Sequence, residues 1–272
     1  MSNLTMRILS ALVALPLLFG SLWLATPYPF AVIVLAAAGL GATEYFHLAK
    51  KLGFAPPVAF GYVGVAAAVG AFQAGAERFL PGGIGLLLAA MMIWSVFTAK
   101  DFKAVLPAHA VTLFGVAYVG VLCGFLVGAR QTVAPALAGP LLTLFFGIVM
   151  VGDTGAYFAG RAFGRHKLAP KISPGKTVEG AIGGFLGSVA FAFLAKAWFF
   201  PQLPTLHAAL LAAVMNPLGQ LGDLYESLLK RGSDAKDAAS VIPGHGGFLD
   251  RLDSLLFNAP VLYYYALTFW SR

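Results

Sequence analysis

Residues 107–129 read PAHAVTLFGVAYVGVLCGFLVGA, twenty-three positions with no Asp, Glu, Lys or Arg among them. A helix that crosses a bilayer needs about 20 largely apolar residues, so this stretch is long enough to span. Outward from it, the same criterion finds candidate spans near 6–25, 29–49, 57–75, 82–99, 136–160, 178–200, 206–229 and 249–270. The expectation is an all-α polytopic integral membrane protein with about nine transmembrane helices. Composition agrees: hydrophobic residues make up 59% of the 272 and charged residues 11%, and mean hydropathy is +0.83. A soluble surface wants roughly 25–35% charged residues, which this chain cannot supply. Disorder is excluded as well, because it requires low hydrophobicity. The first span follows a single basic residue, Arg7, in the manner of a signal peptide. Further spans follow at once, so an uncleaved first helix is expected.

The net charge is +7 and the isoelectric point about 9.6. In a soluble chain that would suggest nucleic acid as a partner. Here the basic residues fall in loops, where membrane proteins hold them on the cytoplasmic side. With the N-terminus inside, only Arg78, Arg130, Lys196 and Arg272 fall on the far side, leaving fourteen of the eighteen basic residues cytoplasmic. That bias predicts a cytoplasmic N-terminus, an external C-terminus and no nucleic-acid partner. The single cysteine, Cys123, has no disulfide partner and is expected to pack in the apolar interior.

The eleven acidic residues are unevenly placed, with eight between 153 and 253. Asp153, Glu179, Asp223, Glu226, Asp250 and Asp253 lie in or at the ends of apolar segments. A charge at the bilayer centre costs about 2.5–3.5 kcal/mol on insertion scales, so such residues point to function. Asn216, Gln220, Asp223, Ser227 and Lys230 recur at intervals of three and four, one polar stripe on a helix that Glu226 widens. Asp250 and Asp253 share a face at the start of the last span, beside Ser254. Two carboxylate faces can converge on a divalent cation, and oxygen-only donors suit magnesium. Pairing with Arg251 is the plain alternative, and it accounts for one of the two acids only.

Two loops complete the pattern. Residues 160–177, GRAFGRHKLAPKISPGKT, hold five basic residues and no acid, and their Gly and Pro residues forbid a continuous helix. Free backbone N–H groups there can meet phosphate oxygens; the plain alternative is attraction to anionic headgroups. The tail SPGKT resembles the end of a Walker A loop but is not one, because Pro170 stands where the pattern needs glycine. The second loop, 230–248, ends in Pro243-Gly244-His245-Gly246-Gly247, where glycines permit close backbone approach to a ligand. Elsewhere Glu44 and His47 read as a candidate buried polar pair, and His109 and His207 as solvated helix-end residues.

Together these segments resemble a known family. Ser227-Leu-Leu-Lys-Arg, then Lys236-Asp237, then Pro243-Gly-His-Gly-Gly-Phe-Leu-Asp-Arg-Leu-Asp253 is similar to the signature of bacterial phosphatidate cytidylyltransferases, or CDP-diacylglycerol synthases. Gly219-Gln-Leu-Gly-Asp-Leu-Tyr-Glu-Ser227, Gly152-Asp-Thr-Gly-Ala-Tyr157 and Ser173-Pro-Gly-Lys-Thr-Val-Glu-Gly180 resemble further segments of that family, and Ala239 departs where many members have glycine. The resemblance implies an enzyme of the bacterial inner (cytoplasmic) membrane that joins CTP to phosphatidic acid, releasing pyrophosphate. It implies Mg²⁺ on Asp223 and Asp250, with K⁺ beside it in some members, and a homodimer. It further implies that Asp223, Asp250, Lys230, Arg231, Lys236, Asp237, His245, Arg251 and Asp253 carry the chemistry. Asp153, Lys176, Thr177, Glu179, Gln220, Glu226, Ser227, Gly246 and Gly247 would then hold substrate. Residues 1–135 are expected to be scaffold and lipid access, and 136–272 the catalytic region with its two cytoplasmic loops. Two rival classes fit less well. A secondary transporter would show related halves and mid-bilayer acids, and an enzyme consuming the activated lipid would carry an aspartate-rich motif that this chain lacks.

Overall fold

The computed structural model describes residues 3–233 and 247–271. The helices run α1 (Asn3–Trp23), α2 (Tyr28–Lys51), α3 (Val58–Gln73), a 3₁₀ turn (Glu77–Phe79), α4 (Leu80–Thr98), α5 (Phe102–Gly115), a π turn (Val116–Val121) and α6 (Leu122–Thr132). They continue with α7 (Pro135–Phe163), α8 (Val178–Trp198), α9 (Thr205–Gly232) and α10 (Leu249–Phe269), with β1 (Lys167–Ala169) and β2 (Ser173–Thr177) between α7 and α8. Because the 3₁₀ turn runs into α4, and α5, the π turn and α6 are continuous, the described residues form nine helical rods where nine spans are expected. Five rods are long and apolar enough to cross a membrane: Tyr28–Lys51, Glu77–Thr98, Phe102–Thr132, Pro135–Phe163 and Val178–Trp198. α3 has only 16 residues, and α9 and α10 carry the charged residues Asp223, Glu226, Lys230, Arg231, Asp250, Arg251 and Asp253.

Local chemistry sets the rod ends. Asp101 caps α5 by accepting from Lys103 N at 3.0 Å, and Thr177 caps α8 by accepting from Gly180 N at 3.1 Å. Gly53 and Gly75, just past α2 and α3, hold φ of 86° and 64°, the left-handed stop that only glycine adopts freely. Tertiary contacts then group the ends. Arg130 on α6 donates to Leu24 O after α1 at 2.5 Å, Val133 bridges to Ser271, and Tyr263 donates to Glu77 at 3.0 Å. His207 at the start of α9 lies against Phe269 near the end of α10. The opposite end gathers the last turns of α2, α7 and α9 and the first turns of α8 and α10. The rods therefore alternate in direction.

A continuous apolar core runs through the bundle and includes Cys123, which is fully buried as expected. The outside is apolar too. On α4 only Met91 and Ser95 are buried, and Val96 and Phe97 are 79% and 83% exposed. Such a surface is stable in lipid and not in water. The protein is a multi-pass, almost wholly helical membrane protein.

Three expectations need correction. The loop expected over 160–177 is helical as far as Phe163, where α7 ends, and residues 167–177 form an antiparallel hairpin, with Lys167 opposite Thr177 and Ala169 opposite Ser173. α5 starts at Phe102, after its Asp101 cap and five residues before the expected start, so His109 lies within the helix, buried, sharing a 2.8 Å hydrogen bond with Ser95 Oγ. His207 is half-buried against Tyr265, with Nδ1 3.0 Å from the phenol oxygen. Glu44 is buried while His47 is exposed, so they form no pair.

Candidate active site

A cavity of about 540 Å³ opens between α7, α8, α9, α10 and the hairpin, at the end where these helices meet the basic loop. Every wall except α8 brings a charge. Asp153 and Arg161 come from α7, Lys176 from β2, Asp223, Glu226 and Lys230 from α9, and Asp250 and Asp253 from α10. Gln220, Thr177 and Ser254 also line it.

From the α9 stripe Gln220, Asp223 and Lys230 face the cavity, with Glu226 beside them. The stripe's upper part is tied to neighbouring helices: Asn216 donates to Ser188 Oγ at 2.9 Å, and Ser188 donates to Ile148 O at 2.8 Å. Gln220 donates to Asn216 Oδ1 at 2.6 Å and to Ala181 O at 3.2 Å. Ser254 on α10 donates to Gly219 O at 3.0 Å. Satisfied polar chains of this kind fix helix rotation, because a slip would leave buried groups unpaired. The lower part of the stripe is ionic. Lys176 Nζ lies 2.6 Å from Asp223 Oδ2. Lys230 Nζ lies 2.7 Å from Glu226 Oε2 and also pairs with Asp250. Asp250 Oδ2 accepts from Gly247 N at 2.9 Å.

The hairpin reaches the cavity because α7 and α8 approach closely. A Cβ on Gly155 would lie 2.8 Å from Gly183 O, and one on Gly184 2.8 Å from Gly152 O. Glu179 anchors the hairpin's entry, accepting from Arg165 N at 3.1 Å and His166 N at 3.2 Å, with His166 Nδ1 at 2.6 Å. Arg231 Nε donates to Ile172 O at 3.3 Å, fixing the hairpin's far side to the end of α9.

Of the residues expected to form the site, Asp153, Lys176, Thr177, Gln220, Asp223, Glu226, Lys230, Asp250 and Asp253 line this one cavity. Glu179, Ser227 and Arg231 stand outside its lining: Glu179 and Arg231 hold the hairpin, and Ser227 reaches Asp223 at 3.5 Å. Arg251 is exposed on α10 and Gly247 is buried beside its start. Lys236, Asp237, His245 and Gly246 lie outside the described residues. Arg161 and Tyr157, joined at 3.1 Å, also line the cavity and were not among the residues expected to form the site. Their signal was present, since Asp153, Tyr157 and Arg161 recur every four residues on α7.

Five carboxyl groups thus face three cationic side chains around the cavity. Glu226 Oε1 is buried and has no hydrogen-bond partner among the described residues. Among the described residues, no three His, Cys, Asp or Glu side chains converge as a ready-made metal cage. Magnesium does not need one, since it is commonly held by one or two carboxylates with substrate phosphates and water. An oxygen-only donor set with surplus carboxylate fits that ion.

Comparison with known proteins identifies the family. A family model described as "Cytidylyltransferase family" matches residues 5–269. A phosphatidate cytidylyltransferase of Pseudomonas aeruginosa is 35% identical over 98% of this chain and 97% of its own length. One from Haemophilus influenzae is 33% identical over 96% and 98%. One from Bacillus subtilis is 44% identical over 46% of this chain and 47% of its own. The family match and the first of these relatives run nearly the whole length of the chain, and it belongs to the cytidylyltransferase family.

Proposed function

We propose that the protein is a CTP:phosphatidate cytidylyltransferase. A phosphate oxygen of phosphatidate attacks the α-phosphorus of CTP, the bond between the α-phosphorus and the bridging oxygen breaks, and pyrophosphate leaves with CDP-diacylglycerol formed. The observation that carries this reading is the single cavity holding the Lys176–Asp223 and Lys230–Asp250 pairs at one end of a membrane bundle.

The chemistry needs little from a base, because a phosphomonoester's second pKa is about 6 and the nucleophile is already anionic near neutrality. The barrier is repulsion between two polyanions and their alignment. Lys176, Lys230 and Arg161 are placed to bind phosphate oxygens. Asp223 and Asp250 would hold Mg²⁺, which when bound supplies charge neutralisation. Asp153, Asp253 and Glu226 shape the cavity's polarity, and Gln220 holds α8 against α9. The family resemblance further assigns Lys236, Asp237, His245 and Gly246 to the site, K⁺ as a second ion, and a homodimer. The alternating rods support nine crossings of a bacterial cytoplasmic membrane with the N-terminus inside, where the cavity meets cytosolic CTP. Residues 1–135 then serve as scaffold and 136–272 as the catalytic region.

The test is conversion of phosphatidate by purified protein with CTP, following CDP-diacylglycerol and pyrophosphate in equal amounts. Asp223→Asn and Asp250→Asn, and removal of divalent cation, are expected to abolish turnover with membrane insertion intact. Native turnover in either variant at saturating Mg²⁺ would overturn the metal assignment; no CTP-dependent product from the native protein would overturn the function.

A further inference from the structure

We infer that Glu44, on α2, is a positioning residue for this reaction: it seats the first turn of α10 and through it sets Asp250. The inference rests on the reading of Asp250 given above. The first turn of any helix leaves backbone N–H groups without intrahelical partners. α10 begins at Leu249 after Phe248 with no side-chain cap of its own. Its leading donors go instead to a distant helix. Glu44 Oε1 accepts from Phe248 N at 2.8 Å and Oε2 from Leu249 N at 2.7 Å. Both carboxylate oxygens are used, and Glu44 is fully buried.

A buried carboxylate is unfavourable unless its hydrogen bonds are made. A negative group at a helix N-terminus also meets the positive end of the helix dipole. Side-chain shape supports the same seat. A Cβ on Gly41, three residues before Glu44, would lie 3.2 Å from Leu252 Cδ1 and 3.7 Å from Leu249 Cδ1, so Gly41 makes room for that turn of α10. Asp250 follows Leu249 directly and is held from the other side by Lys230. The first turn of α10, which carries Asp250, is thus fixed between α2 and α9. A Ser or Asp at the N-cap would satisfy the same kind of donor without fixing α10 to α2, so this arrangement does more than terminate a helix.

The test is Glu44→Gln, which keeps the shape but leaves one acceptor and turns an NH₂ toward the helix N-terminus. The readouts are kcat, CTP KM, melting temperature, and Mn²⁺ binding measured without turnover by electron paramagnetic resonance of the free ion. Displacing a reacting group by about 1 Å costs up to about a hundredfold, so kcat is expected to fall about ten- to a hundredfold. Mn²⁺ binding should weaken, with melting temperature near native. Native kcat and Mn²⁺ binding in the folded variant would overturn the inference. So would an activity loss matched by loss of folded protein, with native constants in what remains. Should Glu44→Gln fail to fold, Phe248→Pro removes one donor at a φ of −72° that proline already fits. Phe248→Ala is its control, removing the ring alone. A greater loss of kcat in Phe248→Pro than in Phe248→Ala supports the tether; equal losses overturn it. Asp250→Asn run alongside separates the two readings: if it is active, the metal assignment fails, and if it is inactive while Glu44→Gln is native, the tether fails.

Discussion

Lys176 separates two readings of the basic hairpin. If its lysines only attract anionic lipid, each contributes about 1 kcal/mol to a protein already fixed in the membrane, and activity barely depends on them. In the structure they differ. Lys167 and Lys171 are exposed, while Lys176 is half-buried with its ammonium on Asp223. Lys176→Ala removes a charge-assisted hydrogen bond worth roughly 1.5–3 kcal/mol, so kcat/KM is expected to fall about ten- to a hundredfold. Lys167→Ala and Lys171→Ala should stay near native. Steady-state kinetics on the three variants checks this, and equal small losses would favour the lipid reading. The α9 residues were legible in sequence because their spacing is local: Asp223, Glu226 and Lys230 share a face on any helix. Glu44 was not. Its partner is a backbone N–H 204 positions away, which no side-chain pattern marks.

The elements that shape the cavity are α7 and α8, pressed together through glycine. Gly155→Ala places a methyl against Gly183 O, and backbone cannot yield as a flexible side chain can. Overpacking of this sort costs about 1–3 kcal/mol. The relief is to part the helices, which draws Asp153 on α7 away from the hairpin that follows into α8. Reduced kcat in protein that still inserts is the expected outcome, measured beside thermal stability in detergent; native kcat would show that the close approach is dispensable. The hairpin itself was only half legible. Pro170 and Gly175 exclude a helix from sequence, but the antiparallel pairing depends on Glu179 and Arg231, which anchor its two sides from other elements. Arg161 was read as one of the loop's five basic residues because α7 was expected to stop at residue 160, and it runs instead to Phe163.

At the scale of the whole molecule, apolar length located the nine rods of the described residues, since lipid selects for one local property repeated along the chain. What hydropathy could not supply was how the rods meet. A reporter fused after Arg272 is expected to read as external and one within 161–177 as cytoplasmic, on the basic-residue bias. A cytoplasmic C-terminus would require an even number of crossings and overturn the nine. The π turn at Val116–Val121 imposes a further condition on the whole bundle. A π turn carries one residue more than an α-helical turn. Each residue advances a helix by about 100°. Downstream of it, Gly124 and Gly128 admit the ring of Phe72, and Gly128 also admits Tyr263. Losing one residue between Val116 and Val121 would rotate those glycines away and drive larger side chains into both rings. Arg130 would leave Leu24 in the same movement. A substitution at Ala117, the exposed position of that turn, leaves the rotation untouched, whereas a change in the number of residues there does not.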